Sequence, residues 1–435
     1  MKKLLLILLC LPMIGFGQQT YVPDDNFEQA LINLGYDAPP LDDYVYTSMI
    51  NTVTSLDISN TGITDYTGIE GFVALTDFDC NDNSATTLDL SNNTILSDLE
   101  CQNNQLTSLD VSGCTALQEI RVSNNSNLTN FNVSGCTAMT LLFCNQTALT
   151  NLDVSGLTSL IHLECNGDLT YPLTNLNVNN CPNLTWLYAV NNSIINLDLS
   201  SNISLQHIFL RDGSITSLDV SNSPNLQILE VHLNNLTSLN VTNTSLRFLT
   251  CDNNQLATLD LSNQGYLELF SARYNELTSL DLYGCTYPGL EIDLSYNLFT
   301  SLDVSCATNL AKLEIMANWL LTSLNLQNSS NQSIQEIRAY QTNLNCVQVD
   351  NDGWSFVNWG IGNQSSIFSF PSSTTFSTNC GLTTCSYTTS IKEHTTNKEL
   401  LKVTDLLGRE AKDTKNEILF YIYDDGTVEK RIVIE

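Results

Sequence analysis

The 435-residue sequence has few charged residues and very few basic ones. Only 14% of its residues are charged, and 46 Asp and Glu residues outnumber 16 Lys and Arg, which gives a formal net charge of −30 at pH 7. Eight of the sixteen bases fall in the last 45 residues, so residues 18–390 contain 36 acids and six bases. Because so acidic a chain cannot neutralise phosphates, we expect no binding to nucleic acid or to an anionic membrane surface.

Long apolar runs are also scarce. The run over residues 4–11 follows Lys2 and Lys3 and precedes Gly15-Phe16-Gly17. It is too short to span about 30 Å of hydrocarbon, and a basic, then apolar, then small-residue order is typical of an export signal. The sequence therefore predicts a signal peptide over residues 1–17 and no transmembrane segment.

A repeat of mostly 21 or 22 residues fills residues 53–344. The unit Leu246-x-x-Leu249-x-Cys251-x-x-Asn254-x-Leu256 recurs fourteen times. Its Asn position falls at Thr61, Asn83, Asn104, Asn125, Thr147, Asp168, Asn192, Gly213, Asn234, Asn254, Asn275, Asn297, Asn318 and Thr342. The Leu side chains of one unit cannot be buried alone, so the units must stack as coils around a shared apolar interior. The Asn amide is expected to satisfy backbone groups where the chain leaves each strand.

This pattern resembles the internalin-like leucine-rich repeat. The first unit, Val53-x-x-Leu56-x-Ile58-x-x-Thr61-x-Ile63, is followed by residues 64–72, which resemble the back side of such repeats. The resemblance implies a β-rich solenoid: a curved, right-handed coil of about 14 units with a parallel concave sheet on the L-x-x-L-x-C/L segment. It also implies a role in binding proteins or glycans.

Both ends of such a stack need a cover. Residues 18–52 predict a helical N-terminal cap, in which a short helix begins at Asp24 or Asp25, ends at Gly35 and buries Phe27, Leu31 and Leu34. Residues 345–386 break the repeat and predict an aromatic C-terminal cap. Its cluster follows Cys346 and comprises Trp354, Phe356, Trp359, Ile367, Phe368 and Phe370.

Residues 387–435 differ in composition from the repeats. They contain Asp405-Leu406-Leu407-Gly408-Arg409-Glu410, and two apolar runs, 419–423 and 428–435, flank an Asp-Gly turn, which is a hairpin signal. The segment resembles the type A C-terminal sorting domain of the Bacteroidetes type IX secretion system, although Phe420 stands where that family often has Gly. The resemblance implies a small β-sandwich-like domain, the type IX secretion machinery as a partner, and secretion or attachment to the outer-membrane surface of a Gram-negative bacterium.

Fourteen cysteines in an exported chain invite a disulfide framework. Most of them instead occupy interior positions where sister units have Val, Ala, Leu or Ile, so we predict buried free thiols. They form one set under the predicted sheet and one on the back: Cys80, Cys101, Cys144, Cys165 and Cys251, then Cys114, Cys136, Cys181 and Cys285. Cys346 and Cys380 bracket the aromatic cap and are the predicted disulfide, which leaves Cys385 over.

The residues six, four and two before each Asn position point out of the predicted sheet, because alternate residues of a strand face opposite ways. Five of the six bases and all three histidines of residues 18–390 hold such positions: Arg121, Arg211, Arg273, Lys312, Arg338, His162, His207 and His232. Along the first of these columns the side chains change from acidic to aromatic to mixed. The middle of the face is the predicted ligand-binding site: Phe143, His162, Trp186, Tyr188, His207, Phe209, Arg211, Ile228, His232, Phe248 and Arg273.

Exposed aromatic side chains with Arg beside them are typical of binding hot spots. An alternative is that the rings only pack on each other across neighbouring strands, which would explain their adjacency but not the concentration of Arg and His. Such rings also stack on sugars, so protein and glycan ligands both remain open.

We expect no enzyme activity, no cofactor and no bound metal. His162 and His207 are separated by the strand of Trp186, about 10 Å, which is too far to share a zinc ion with bonds of about 2 Å. Glu164 and Glu230 lie three strands apart, beyond the limit of about 9.5 Å for a glycosidase pair. The expected function is a secreted or surface-displayed binding protein; the alternative is a structural or adhesive surface component without a discrete ligand.

A column of Asp repeats on the back side, at positions 89, 110, 153, 198, 219, 260, 281 and 303, with Asn at 132, 177, 240 and 325. Stacked carboxylates repel, so either turn N–H groups donate to each or cations collect there. Backbone capping is the favoured interpretation.

Overall fold

The computed structural model describes residues 18–168, 170–359, 367–382, 400–404, 418–423 and 428–432. The predicted signal peptide, the segment 405–410 and Cys385 lie outside these residues. The chain divides into two compact units, residues 1–385 and 386–435.

The N-terminal cap contains the predicted helix. Helix α1 spans Asp25–Leu34, the Asp24 carboxylate accepts hydrogen bonds from the N–H groups of Asn26 and Phe27, and Gly35 ends the helix at a φ of 81°. Phe27 and Leu31 are fully buried. The prediction for Leu34 is wrong: it is 47% exposed, because the helix ends there and Tyr36, beyond the turn, packs against the core instead.

The remaining elements of this cap are short. Strands Gln19–Tyr21 and Tyr44–Tyr46 pair antiparallel, and helix α2 spans Thr47–Ile50. A 3₁₀ turn at Ile69–Gly71 lies in the first repeat, and a second one lies at Asn331–Ser333.

One parallel sheet of fifteen strands, here called the long sheet, runs through the repeats. Each predicted repeat contributes one strand, at the predicted segment, and a fifteenth strand follows from the C-terminal cap. The strands are Ser55–Asp57, Asp77–Asp79, Asp98–Glu100, Glu119–Arg121, Leu141–Phe143, His162–Glu164, Trp186–Tyr188, His207–Phe209, Ile228–Glu230, Phe248–Thr250, Leu269–Ser271, Leu290–Asp293, Leu310–Glu314, Glu336–Arg338 and Phe368–Ser369. The prediction of a leucine-rich-repeat solenoid is confirmed.

Shorter parallel sheets, here called the back strands, form from the second extended piece of the repeats. They pair as Ser108–Asp110 with Asn130–Asn132, Asn151–Asp153 with Asn175–Asn177, Ser217–Asp219 with Ser238–Asn240 and Thr258–Asp260 with Ser279–Asp281, and a last group comprises Ser301–Asp303, Ser323–Asn325, Cys346–Gln348 and Thr375–Ser377. The central apolar residues of the strands in both sheets pack in or against one continuous core.

The Asn residues form the predicted ladder. The Asn234 amide donates to the carbonyls of Leu210 (2.7 Å) and Val231 (3.1 Å), and its oxygen accepts from the N–H of Ile215 (2.9 Å). One buried side chain thus joins its own repeat to the preceding one. Where Thr replaces Asn, at Thr147, the hydroxyl donates to Cys144 of its own repeat.

The back Asp column caps turns, as favoured above. The Asp89 and Asp110 carboxylates accept from the N–H groups two residues ahead, at 2.9 and 3.0 Å, and the other six accept in the same way. In four of the five register pairs an Asp lies opposite an Asn, which limits repulsion between carboxylates; the fifth pairs Asp260 with Asp281.

The nine cysteines of the repeat interior named above are buried free thiols. Those on the back are more than small apolar fillers, because Cys136, Cys181 and Cys285 donate S–H bonds to carbonyls of the preceding repeat at 3.1–3.3 Å. Asn202 fills the same place in its repeat and donates to Val178. Cys346 and Cys380 form a disulfide with their Cα atoms 6.0 Å apart.

The C-terminal cap is built on Trp359, the last residue of helix α3 (Asp352–Trp359). Its ring is buried and lies 5.8 Å from Phe368 and 6.0 Å from Phe376. Phe356 and Ile367 do not belong to this cluster, since they are 60% and 48% exposed. The buried residues of helix α3 are Ser355 and Trp359, which are four residues apart, whereas Phe356 is not buried.

The second unit contains three described strands, Leu400–Thr404, Ile418–Tyr423 and Val428–Ile432. They form an antiparallel sheet in chain order, so the two apolar runs that flank the Asp-Gly turn pair as predicted.

Candidate functional site

All eleven predicted ligand-binding residues lie on the long sheet or just after its strands, on the face turned away from the core, here called the outer face. The central residue of each strand is buried and its two neighbours are not, as for Leu187 between Trp186 and Tyr188. Ten of the eleven are half-buried, and Arg211 is exposed. The strand period therefore placed them correctly.

Six of these side chains form one continuous assembly, here called the aromatic stack: Phe143, His162, Trp186, Tyr188, His207 and Phe209. Register pairing puts His162, Trp186 and His207 side by side on adjacent strands. Trp186 stacks on His207 with ring centroids 3.7 Å apart, and Tyr188 stacks on Phe209 at 4.3 Å with an interplanar angle of 4°. These distances are shorter than the strand spacing of about 4.8 Å, so the rings lie face to face.

At the N-terminal end of the stack, the last ring, Phe143, is covered by Arg121. His162 lies 6.0 Å from Trp186 and 5.2 Å from Phe143, and the Arg121 guanidinium lies 4.7 Å from the Phe143 ring centroid. At the other end, Ile228 is the register partner of both His207 and Phe248 and continues the apolar column. The rings therefore do pack on one another across neighbouring strands. Together with Ile228 and Phe248 they form one apolar strip across six strands.

The bases of the outer face are paired with carboxylates, which the sequence pattern did not indicate. Arg211 lies 3.4 Å from Glu230, and Arg273 lies 3.4 Å from Asp293. Lys312 and Arg338 share Glu314 and Glu336 in a four-residue network. Each of these bases is therefore paired with a carboxylate of its own or an adjacent strand.

The three histidines differ in their surroundings. His162 Nε2 lies 2.9 Å from Glu164 Oε1, and His232 Nδ1 lies 3.4 Å from the Thr250 hydroxyl. His207 Nδ1 is buried and has no hydrogen-bond partner among the described residues. Burial lowers the pKa of His207, so its ring is neutral at pH 7.

Tyr188 presents the polar group at the centre of the stack. Burial raises the pKa of Tyr188, and the nearby Glu164 and Glu230 carboxylates raise it further. Its hydroxyl therefore stays protonated and can donate a hydrogen bond. Glu164 and Glu230 themselves are separated by two intervening strands.

A strongly acidic area adjoins the stack. Six carboxylates occupy outward positions of the first four strands, here called the acidic third: Asp57, Asp77, Asp79, Asp98, Glu100 and Glu119. Asp77 is the register partner of Asp98, which is in turn the partner of Glu119. Burial raises the pKa of Asp79, and the Asp57 and Glu100 carboxylates add to that rise.

The structure also shows an exposed apolar group that sequence reasoning missed. Tyr274 and Tyr296 stack at 4.1 Å and are 44% and 37% exposed. Both have a positive φ, at the position before the ladder Asn, where earlier repeats have residues such as Asn103 and Asn124. The sequence feature that could have revealed this pair is a Tyr at a position of positive φ, where Asn is favoured in the other repeats.

The described part of the chain contains no group of three or more His, Cys, Asp and Glu side chains placed to hold a metal ion. None of its helices has the length and apolarity needed to cross a bilayer.

Comparison with known proteins supports the repeat assignment. No family model matches the chain. Internalin J of Listeria monocytogenes serotype 4b (strain F2365) is 40% identical over 74 residues, which is 17% of this chain and 8% of that relative. The match therefore spans a small part of the relative's length.

Two solved structures resemble the chain in fold. The functional domain of InlJ from Listeria monocytogenes, described as including a cysteine ladder, is 23% identical, with 96% of this chain and 99% of that chain covered and a TM-score of 0.53. A chain of the glycosylated Toll–Spatzle complex of Drosophila is 17% identical, with 70% of this chain and 50% of that chain covered and a TM-score of 0.51. The fold of this chain is thus that of an internalin-like leucine-rich-repeat solenoid.

Proposed function

We propose that the chain is a secreted or surface-displayed binding protein that captures a protein or glycan ligand on the outer face of the long sheet. Leucine-rich-repeat solenoids generally act by binding other proteins along their extended sheet surface. Export by the predicted signal peptide, and passage through the type IX secretion machinery by residues 387–435, belong to the same proposal. Binding, and not catalysis, is the proposed activity.

The aromatic stack is the observation that carries this proposal. Trp186, Tyr188 and Phe209 are half-buried and face away from the core, so they contribute little to the shared interior. These rings are contiguous on one face of the sheet and not scattered singly, and contiguous apolar side chains at a surface mark interaction sites. Aromatic side chains at the centre of a contact area are also the residues that dominate binding energies.

The test is to probe a glycan array and a synthetic peptide array with the full chain and with a Trp186→Ala/Phe209→Ala variant. We expect the wild-type chain to bind members of one array and the variant to lose at least about 90% of that signal, since losing a hot spot weakens binding by about 2 kcal/mol or more. Tyr266→Ala is the matched control, because Tyr266 is 66% exposed and lies outside the long sheet.

Circular dichroism melting of each variant separates lost binding from lost folding. A folded double variant that still binds as the wild type does would contradict the proposal. Equal loss in the Tyr266→Ala variant would also contradict it, because it would place binding elsewhere.

A further inference from the structure

We propose that the partner on the aromatic stack is a polypeptide that carries Lys or Arg beside apolar side chains, and not an oligosaccharide. This inference rests on the proposed function and names the ligand class of the same surface. Two observations support it: the way the rings are oriented, and the charge around them.

The ring faces at the centre of the stack lie against neighbouring rings. An aromatic ring holds a sugar by lying flat against its C–H groups, which requires an open face with its negative π cloud. Trp186 lies between His162 and His207, and their rings are inclined to it by only 11° and 21°. Tyr188 lies in the same way between His162 and Phe209, at 18° and 4°.

Phe143 is covered by a cation on one side. The Arg121 guanidinium lies over its ring, and His162 packs against it from the next strand. Phe143, Trp186 and Tyr188 therefore present mainly ring edges and polar tips at the surface. Ring edges carry partial positive charge, so they suit the carbonyl oxygens and apolar side chains of a peptide better than they suit a stacked sugar.

The polar groups among these edges fit a peptide as well. The Tyr188 hydroxyl is a donor for a backbone carbonyl. The Glu164 carboxylate accepts from His162 and from the Asn145 amide at 2.9 Å each. The Glu230 side chain is 28% exposed and lies at the other margin of the stack, 3.4 Å from Arg211.

The charge beside the stack selects a cationic partner. The outward positions of the first four strands carry the six carboxylates of the acidic third, with Arg121 as their one base. Arg121 is already engaged, since it lies close to Glu119 and 3.9 Å from Glu100. Carboxylates that face one another across adjacent strands destabilise a sheet, and a partner that brings Lys or Arg to them relieves that repulsion.

The experiment uses a synthetic array of 15-residue peptides of known, varied sequence and a glycan array, both probed with the full chain at low and high NaCl. We expect peptides that combine Lys or Arg with aromatic or aliphatic residues to bind, and the glycans not to bind. The affinity for the best peptide should fall at least about tenfold from 50 to 500 mM NaCl, because salt screens contacts between exposed charges.

An Asp77→Asn/Asp98→Asn variant tests the charge directly. Asn keeps the acceptors for the hydroxyls of Thr76 and Ser97, which bond these side chains at 2.7 and 2.6 Å. We expect about tenfold weaker peptide binding with an unchanged or higher melting temperature, since removing like charges favours folding. An Asp212→Asn/Glu276→Gln variant, with two exposed acids outside the outer face, is the matched control and should bind as the wild type does.

The possible results separate the two proposals. Glycans that bind the wild-type chain but not the Trp186→Ala/Phe209→Ala variant would overturn the peptide inference and leave the binding function intact. No binding by the wild-type chain to either array would contradict both. Peptide binding that is insensitive to salt and to the Asp77→Asn/Asp98→Asn change would refute the cationic partner.

Discussion

Single side chains of the Asn ladder join one repeat to the next. Asn234 is 6% exposed and satisfies three buried backbone groups, those of Leu210, Ile215 and Val231. A backbone group that loses its partner in the interior costs about 1–3 kcal/mol. The ladder therefore contributes to stability in proportion to how many backbone groups each residue satisfies.

We predict that Asn234→Ala lowers the free energy of unfolding by about 2–3 kcal/mol, because it leaves the Leu210 carbonyl and the Ile215 N–H unpaired, while the Val231 carbonyl keeps its bond from the Asn254 amide. Asn235→Ala is the control, since its exposed side chain should leave stability within about 0.5 kcal/mol. Urea denaturation followed by circular dichroism measures both. Equal midpoints for the two variants would show that the ladder does not hold the repeats together.

Residue placement was predictable where it follows the strand period, and not where it depends on packing. Alternation was enough to put Trp186, His207 and Arg211 on the outer face. The pairing of Arg211 with Glu230 was not predictable, because it depends on which rotamers reach across a strand. Alignment of the repeats predicted that Trp186 and His207 lie on adjacent strands. Their face-to-face stacking depends on side-chain rotamers, which the sequence does not show.

At the scale of elements, the turns on the back side are capped by Asp at eight positions and by Asn at four, and the Asp caps are sensitive to pH. The hydrogen bond from the Ser112 N–H lowers the pKa of Asp110, and similar bonds lower the pKa of Asp89 and Asp198. A lowered pKa in the folded state means that the stabilisation is present above the ordinary pKa of 3.8 and is lost as the pH falls through the folded value.

We predict that wild type exceeds Asp110→Asn in stability at pH 7 by less than about 1 kcal/mol, as is usual for exposed charges. The difference should shrink as the pH is lowered below the ordinary pKa of 3.8, because the folded-state carboxylate is protonated there. Asn132→Asp should do the opposite, since it puts a carboxylate opposite Asp110 and costs stability only at neutral pH. Melting temperatures across this pH range test the pair, and a difference that does not change with pH would refute the capping role.

The C-terminal cap is held by the disulfide between Cys346 and Cys380, which closes a loop with a sequence separation of 34. A loop of that size predicts a contribution of about 3–4 kcal/mol. The Cys346→Ser/Cys380→Ser variant should therefore lose its cap to limited proteolysis much faster than wild type does. Mass spectrometry of the fragments locates the cuts, and cleavage at the wild-type rate would contradict this role.

At the scale of the whole molecule, the repeat determines the fold. Fourteen copies of one pattern were enough to predict the solenoid and the positions of fourteen of the fifteen strands of the long sheet; the fifteenth, Phe368–Ser369, comes from the C-terminal cap. The details at the ends were less predictable, because Leu34, Phe356 and Ile367 lie outside the repeat and no neighbouring copy constrains them. The composition of the outer face, acidic and then aromatic, is a property of the assembled stack and no single repeat shows it.

The central claim is that the aromatic stack is where the partner binds, and hydroxyl-radical footprinting tests it most directly. The full chain is labelled with and without the peptide that binds best on the array, and modification is measured at each aromatic residue. We predict that the bound peptide lowers the modification rate of Trp186, Tyr188 and Phe209, because hot-spot side chains are shielded from solvent at the centre of a contact area, and that Tyr171 and Tyr266 are unchanged. Protection of Tyr171 or Tyr266 while the stack stays reactive would contradict the account.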